Sequence, residues 1–386
     1  QLFAAYLIIG LTGFGPSVVT ETKKILVDNK QWISEEELTN GITLGQLLPG
    51  ATYCSLTVYI GYRIRGVAGA VTSFIAFLLP PFMIMLLLSY LYFQFGELPL
   101  VKILIKGIGA IVVGLIANAI VEVGKSALQD AKAVLIALIS LAIMIVYPNI
   151  FIILIAAAVL GIICYYSTWR RQERALTILN DHPQDDLTKS NNFSGLLLLL
   201  VALALSIYGA ARQPVLLQLG WVFFRMGAVV FGNGFTMLPL IQQQVVSLFH
   251  WLTMDEFAVG LALGQITPGP ILITATFVGY KVAGFMGAVA GTVGMFMPSL
   301  FLVILTAKIH KKVERNPWVK AAFQGILASF VGMMAVVLFG MAQHGIGDWA
   351  TAALAVLAFL ALRFTQLNVL WVVAGGSLLY LGLYFI

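Results

Sequence analysis

The chain has 386 residues, 60% of them hydrophobic and only 10% charged, with a net charge of +6 and a mean hydropathy of +0.98. Soluble globular domains carry about 25% charged residues, so this composition excludes a soluble enzyme built on a large core. The modest basic excess is what cytoplasmic loops of membrane proteins carry, and it lends nucleic-acid binding no support.

Apolar runs recur along the whole length, at 103–120, 134–146, 150–163, 196–207 and 369–386. About 20 residues cross a ~30 Å hydrocarbon layer as a helix, and without water to satisfy peptide groups such runs must be helical. The expected fold class is an all-α polytopic membrane protein. In chain order the spans fall at 1–18, 36–65 (broken), 67–95, 100–122, 131–147, 149–167, 195–211, 216–235, 255–282 (broken), 285–307, 319–342, 348–363 and 366–385, about 13 in total. The opening QLFAAYLIIGLTGFG reads as a first span rather than a signal peptide, having no charged leader region or small-residue cleavage site. Cys54 and Cys164 lie in apolar segments and read as buried, inert thiols. The polar stretch TWRRQERALTILNDHPQDDLTKSNNF reads as a cytoplasmic connector with some amphipathic helix.

The chain repeats itself. At an offset of 219, Trp32 meets Trp251, Glu37 meets Glu256, Gln46 meets Gln265, Pro49 meets Pro268 and Gly50 meets Gly269. At 218, Gly61-Tyr62-Arg63 meets Gly279-Tyr280-Lys281, and Gly66, Gly69 and Pro80 meet Gly284, Gly287 and Pro298. The organisation read from this is a first repeat (1–167), a cytoplasmic linker (168–194), an extra connecting span (195–215) and a second repeat (216–386). Six spans per repeat plus one between them would invert the second repeat relative to the first. With the linker inside, fourteen lysines and arginines fall on the cytoplasmic side and seven outside, Lys23, Lys24 and Lys30 among the seven.

GQLLPGA (45–51) and GQITPGP (264–270) interrupt equivalent helices, because proline removes a hydrogen bond and clashes with the preceding turn. Backbone freed at membrane depth is tolerated only against protein or a water-filled cavity. A half-helix restarting there turns its amino end, with unpaired N–H groups and the positive dipole, toward an anion. Paired breaks at matching places in inverted repeats mark transport sites. The candidate substrate-binding residues are therefore Gln46, Pro49, Gly50, Ala51 and Thr52 in one repeat and Gln265, Pro268, Gly269 and Pro270 in the other. Arg63 and Lys281, at equivalent positions, read as interfacial anchors or as entrance charges for an anion. Arg225 lies inside a span, where a charge is costly and is either paired or functional. Glu37 and Glu256 read as amino-terminal helix caps, with proton coupling as the alternative. The four histidines show no metal-ligand spacing and no P-loop is present, so neither metal, cofactor nor ATP hydrolysis is expected.

The ordered motifs resemble those of the chromate transporter family. That family's pattern runs from a glycine-rich FGGP-like element through a tryptophan followed by acids to AQ-x-x-PGP and G-Y-x-x-x-G-x-x-GA. Here the first repeat carries GFGP, QWISEEEL, GQLLPGA and GYRIRGVAGA; the second carries GNGF, HWLTMDEF, GQITPGP and GYKVAGFMGA. The likeness covers essentially the whole chain in the long, two-repeat form, with PGA in the first repeat where the pattern has PGP. It implies export of the chromate dianion, with sulfate as competing analogue, across a bacterial or archaeal inner (plasma) membrane, driven by an ion gradient. The partners expected are that small anion, the lipid bilayer and, as a candidate assembly, a second copy in a homodimer. A channel, a membrane-embedded enzyme acting on lipid carriers and a non-transporting scaffold are the rival readings; the enzyme lacks any cluster of acids or metal ligands at membrane depth.

Overall fold

The computed structural model describes residues 1–179, 214–229, 234–306, 316–365 and 367–384. The connector beyond 179, the extra span at 195–211 and the centre of the GNGF element lie outside these residues. In the first repeat the helices are α1 (Leu2–Thr12), α2 (Ser17–Thr22, continued as a π-helix over Lys23–Asn29), α3 (Glu35–Leu47), α4 (Thr52–Phe95), α5 (Pro99–Ala127), α6 (Ala131–Val146) and α7 (Ile150–Leu179). The second repeat has α8 (Pro214–Gly227), α9 (Leu238–Gln242, between a 3₁₀ turn at Gly234–Met237 and a π-helix at Gln243–Leu248), α10 (Met254–Ile266), α11 (Thr274–Thr306, preceded by a 3₁₀ turn at Ile271–Ile273), α12 (Pro317–Gly345), α13 (Trp349–Phe364) and α14 (Val369–Tyr384). Among the described residues five helices are long and apolar enough to cross a bilayer, so the protein is an all-helical, multi-pass membrane protein.

The duplication extends to local chemistry. Ser34 and Glu37 form a capping box at the start of α3, and Thr253 with Glu256 repeats it at α10. Asp130 and Asp348 cap α6 and α13, while Pro99 and Pro317 open α5 and α12. Even the left-handed backbone positions pair off: Gln31 with His250, Gly50 with Gly269 and Gly66 with Gly284.

One feature matches the boundary read between 65 and 67, and a second corrects the expected span list. α4 is not one helix: at Arg65 and Gly66 (φ 61°) the chain reverses, giving legs α4a (52–64) and α4b (67–95). The legs touch so closely that a Cβ on Gly69 would sit 2.0 Å from the Gly61 carbonyl oxygen, and Ser73 Oγ donates to the Thr57 carbonyl at 3.0 Å. α11 reverses likewise at Ala283 and Gly284 into α11a (274–282) and α11b (285–306). Secondly, α3 doubles back on α4a. Gly45 abuts Thr52, Gly41 abuts Tyr59, and Glu37 at the start of α3 pairs with Arg63 at the end of α4a at 2.7 Å. At 1.5 Å per residue the 13-residue α3 is only about 20 Å long, too short to cross. Segment 36–65 is therefore a hairpin that returns to the end it left, and 255–282 is its copy, closed by Lys281 and Glu256 at 2.7 Å. The first span, 1–18, fares the same. Gln1 and Leu2 border one cavity with Trp32, Ile33, Glu37, Arg63 and Arg65, so α1 enters and α2 returns. Lys23, which pairs with Glu35 at 2.6 Å, thus sits at the Arg63 end rather than opposite it.

The repeats interlock through small residues, which let backbones approach without a side chain between them. α5 packs on α13, with Gly114 at Ala355 and Ala358; α12, its repeat partner, packs on α6 and α7, with Gly332 at Ala137 and Gly325 at Gly161. α5 and α12 are thus each clasped by the last two helices of the other repeat.

Candidate functional site

Both PG breaks form as the sequence predicts, and they meet partners across the repeat boundary. Gly50 adopts φ 134° and Gly269 φ 95°, a region open to glycine and strained for other residues. Gly50 packs against Ser299 on α11b, and Gly269 against Pro81 on α4b; Ser299 and Pro81 are themselves repeat partners.

Beyond this symmetry the two breaks differ chemically. At the first, the Ala51 N–H donates to Ser299 Oγ at 2.9 Å. A cavity of about 390 Å³ opens beside it, lined by Gln46, Thr52, Tyr53, Ser126 and Thr236 together with Pro16 and apolar side chains. Gln46, Pro16 and Ser126 on its wall are exposed, so the cavity is not sealed. Three helical stretches begin at it: α2 at Pro16, α4a at Thr52, and the stretch from Gly234 that holds Thr236. Of the three, α4a is the full α-helix whose amino end carries roughly half a positive charge; α2 is a short α-segment running into its π-helix, and the Gly234 stretch is a single 3₁₀ turn. No acidic side chain lines the cavity, so nothing on the wall opposes that positive field.

The second break is closed. Thr267, Pro268, Gly269 and Pro270 are buried. The Gly269 N–H donates to the Gly13 carbonyl at 2.6 Å and the Gly15 N–H to the Gly269 carbonyl at 3.4 Å, so the GFGP loop of α1–α2 zips onto it. Pro270 stands where Ala51 stands in the first repeat and has no N–H to offer; Ile271 and Leu272 replace Thr52 and Tyr53. The expected pair of equivalent anion sites is therefore unequal, and Gln265, whose buried Nε2 has no partner in the structure, lies outside the cavity.

The basic candidates are elsewhere too. Arg63 and Lys281 are each engaged by the capping acid of their own hairpin, Glu37 and Glu256. Glu37 serves both as cap and as counter-ion, and Glu256 does the same in the second repeat. The two ion pairs line separate cavities at opposite ends of α4b. One contains Arg65 at its start; the other, about 510 Å³, contains Tyr92 and Phe93 near its end, with Lys102, Lys106 and His344. Arg225 does not line the central cavity; its guanidinium lies about 6 Å from the rings of Phe151 and Trp221, a cation–π arrangement. Cys54 is buried and Cys164 half-buried, both unpaired, and no group of three potential metal ligands occurs among the described residues.

Tyr53, Ser126, Thr236 and Ser299 escape a reading of sequence alone. Thr236 is the repeat partner of Ser17, and Ser299 stands where the other repeat has Pro81, so a comparison of the halves position by position carries the signal for both.

Comparison with known proteins agrees with the duplication. The chromate transporter family profile matches residues 1–162 and again 217–381. An uncharacterized transporter of Methanocaldococcus jannaschii is 32% identical over 376 residues, 97% of this chain and 91% of its own length. The chromate transport protein of Cupriavidus metallidurans is 32% identical over 388 residues, 100% of this chain and 93% of its own. The probable chromate transport protein of Synechococcus elongatus is 29% identical, covering 94% and 89%. No solved structure matches. With the family matched across both repeats and the apolar helical fold in place, the chain belongs to the chromate transporter family and is a transporter, not an enzyme.

Proposed function

We propose that this chain exports a tetrahedral oxyanion, chromate with sulfate as its competing analogue, across the inner (plasma) membrane by alternating access driven by an ion gradient. The observation that carries this reading is the meeting of the amino ends of α2 and α4a and the 3₁₀ turn at Gly234 on an acid-free cavity beside the PGA break, where Gln46, Thr52, Tyr53, Ser126 and Thr236 stand among apolar side chains. A dianion there can accept hydrogen bonds from Gln46 Nε2 and the Thr52, Tyr53, Ser126 and Thr236 hydroxyls, the Ala51 amide being held by Ser299 Oγ. The site is single, on the first repeat; the second break acts as a clasp.

The repeats run in opposite senses in this reading. Arg63 and Glu37 share an end with the start of α4b, whereas their copies Lys281 and Glu256 share an end with its finish. Moving Lys23, Lys24 and Lys30 to the Arg63 end sharpens the basic asymmetry, so that end faces the cytoplasm. Ser126 closes α5, and Phe323 and Leu327 lie near the start of α12, so the cavity leans toward that same face. Any homodimer would assemble through surfaces outside this path.

Uptake of labelled chromate into inverted vesicles tests the reading, with sulfate competition and with the proton gradient collapsed. Saturable, gradient-dependent uptake is expected. Gln46→Ala or Thr52→Ala should raise KM about ten-fold or more, as for loss of a hydrogen bond to a charged group (~1.5–3 kcal/mol). Linear, non-saturating flux would point to a channel, and unchanged kinetics in both variants would remove the site.

A further inference from the structure

The far end of the molecule is shut by aromatic rings contributed by both repeats. Phe93, near the end of α4b, packs against Phe277 of α11a at 4.8 Å between ring centroids and stacks near Tyr280 at 6.1 Å. Tyr92 closes on both Phe93 (4.9 Å) and Phe277 (5.4 Å), and Lys281 Nζ lies 5.0 Å from the Phe93 ring centroid. Tyr92, Phe93 and Lys281 face the 510 Å³ vestibule, while Phe277 beneath them is fully buried. Phe277 lies three residues along α11a from Thr274, where the helix restarts after the second break, about 4.5 Å of helix rise. One layer of rings therefore separates a polar vestibule from the middle of the protein. In the sequence the repeat equivalents of Tyr92 and Phe93 are His310 and Lys311, so the aromatic pair is not duplicated.

We propose that Phe93 is the gate residue on the Lys281 side. With its ring between Phe277 and Tyr280, the second break is cut off from the vestibule while the first faces its cavity. Withdrawal of α4b from α11a breaks this layer and joins the vestibule to the middle of the protein. Calling this a transport gate rests on the alternating-access reading above, but the seal itself is a property of the fold and is tested without transport.

The test is cysteine accessibility. In a Cys54→Ala, Cys164→Ser background, Thr274→Cys is exposed to a membrane-impermeant thiol reagent in right-side-out cells and in inverted vesicles. Lys106→Cys, on the vestibule wall, reports which preparation presents that face. Thr274→Cys should label slowly with Phe93 present. With Phe93→Ala it should label at least about ten-fold faster, from the Lys106 face alone, because ring contacts of this kind bias the closed state. Phe93→Leu, which keeps apolar bulk, should remain slow and serves as the folding control. Equal rates with and without Phe93→Ala, or acceleration from both faces alike, overturn the gate. Accelerated labelling in a protein that moves no chromate keeps the gate and sinks the substrate reading instead.

Discussion

The Ala51 N–H of the first repeat and Ser299 Oγ of the second are joined at 2.9 Å across 248 residues of chain. A hydroxyl thus holds the amide that the break leaves free, in a buried setting where an unmatched N–H is costly. Ser299→Ala should destabilise the anion-free protein by about 1–3 kcal/mol, the desolvation cost of an orphaned donor. Added chromate should then raise the melting temperature of the variant more than that of the parent, because the anion supplies the missing acceptor. Thermal unfolding in detergent with and without chromate reads both effects; identical melting curves for the two proteins would falsify the assignment.

The reversal at Gly66 depends on Gly61 and Gly69 lying back to back. A methyl on Gly61 would meet Ser73 Oγ at 2.1 Å and the Gly69 carbonyl at 2.5 Å, whereas one on Gly284 meets nothing within 4 Å. Gly61→Ala should cost more than ~3 kcal/mol, beyond ordinary overpacking. Gly284→Ala meets no clash and carries only the strain of a positive-φ, extended-ψ backbone that essentially glycine alone adopts, roughly 1–3 kcal/mol. Fluorescence-detected gel filtration after heating will order the two; a Gly61→Ala protein as stable as Gly284→Ala would contradict the hairpin.

Glu37 holds the α3 amino end and Arg63 at once, with both side chains partly exposed. Glutamine can keep the capping box but not the ion pair. Glu37→Gln should therefore lose no more than about 1 kcal/mol, the scale of a solvent-screened pair. Glu37→Ala should lose about 1 kcal/mol more, for the cap. The same order is expected for Glu256, and equal losses for Gln and Ala at either position would show that the cap contributes nothing.

Asp348 caps α13 between two helices, and its carboxyl is held well below the usual carboxylate range by the Lys106 ammonium first and then by hydrogen bonds from Thr351. A depressed folded value means the stabilisation is fully present above the unfolded pKa of about 3.9 and fades as pH falls through the folded one. Asp348→Asn should thus lower the melting temperature equally at pH 7 and pH 5, with the gap to the parent closing only below about pH 4. A gap that already shrinks between pH 7 and pH 5 would rule this out.

Much of this molecule is legible in one sequence, because glycine and proline punctuate an apolar chain unambiguously. Breaks are expected at Pro49 and Pro268 and a boundary between 65 and 67, and chain reversals stand there. What escapes is direction. A hydropathy profile marks that 36–65 is buried, but return or crossing is decided by Gly41, Gly45 and Gly61 meeting residues that the pattern does not pair with them. Two hints are nonetheless present: 13 residues of α3 are too few to cross, and Lys23, Lys24 and Lys30 sit awkwardly on the outer side. The site is half legible. Gln46 and Thr52 flank the first break in sequence, whereas Ser126, Thr236 and Ser299 reach it only through folding. The equal weight given to Gln265, Pro268 and Pro270 meets an unequal geometry, because Pro270 has no N–H and the second break lies buried outside the first break's cavity.

The paired contacts between Gly13, Gly15 and Gly269 are made by main chain alone, so no side-chain change alters their chemistry directly. Were the halves to move as the proposed cycle requires, this fastening would act as the rivet of a pair of scissors, with least travel at the centre and most at the mouths. In the proposed alternating-access cycle, a small swing about that point would open one mouth while shutting the other.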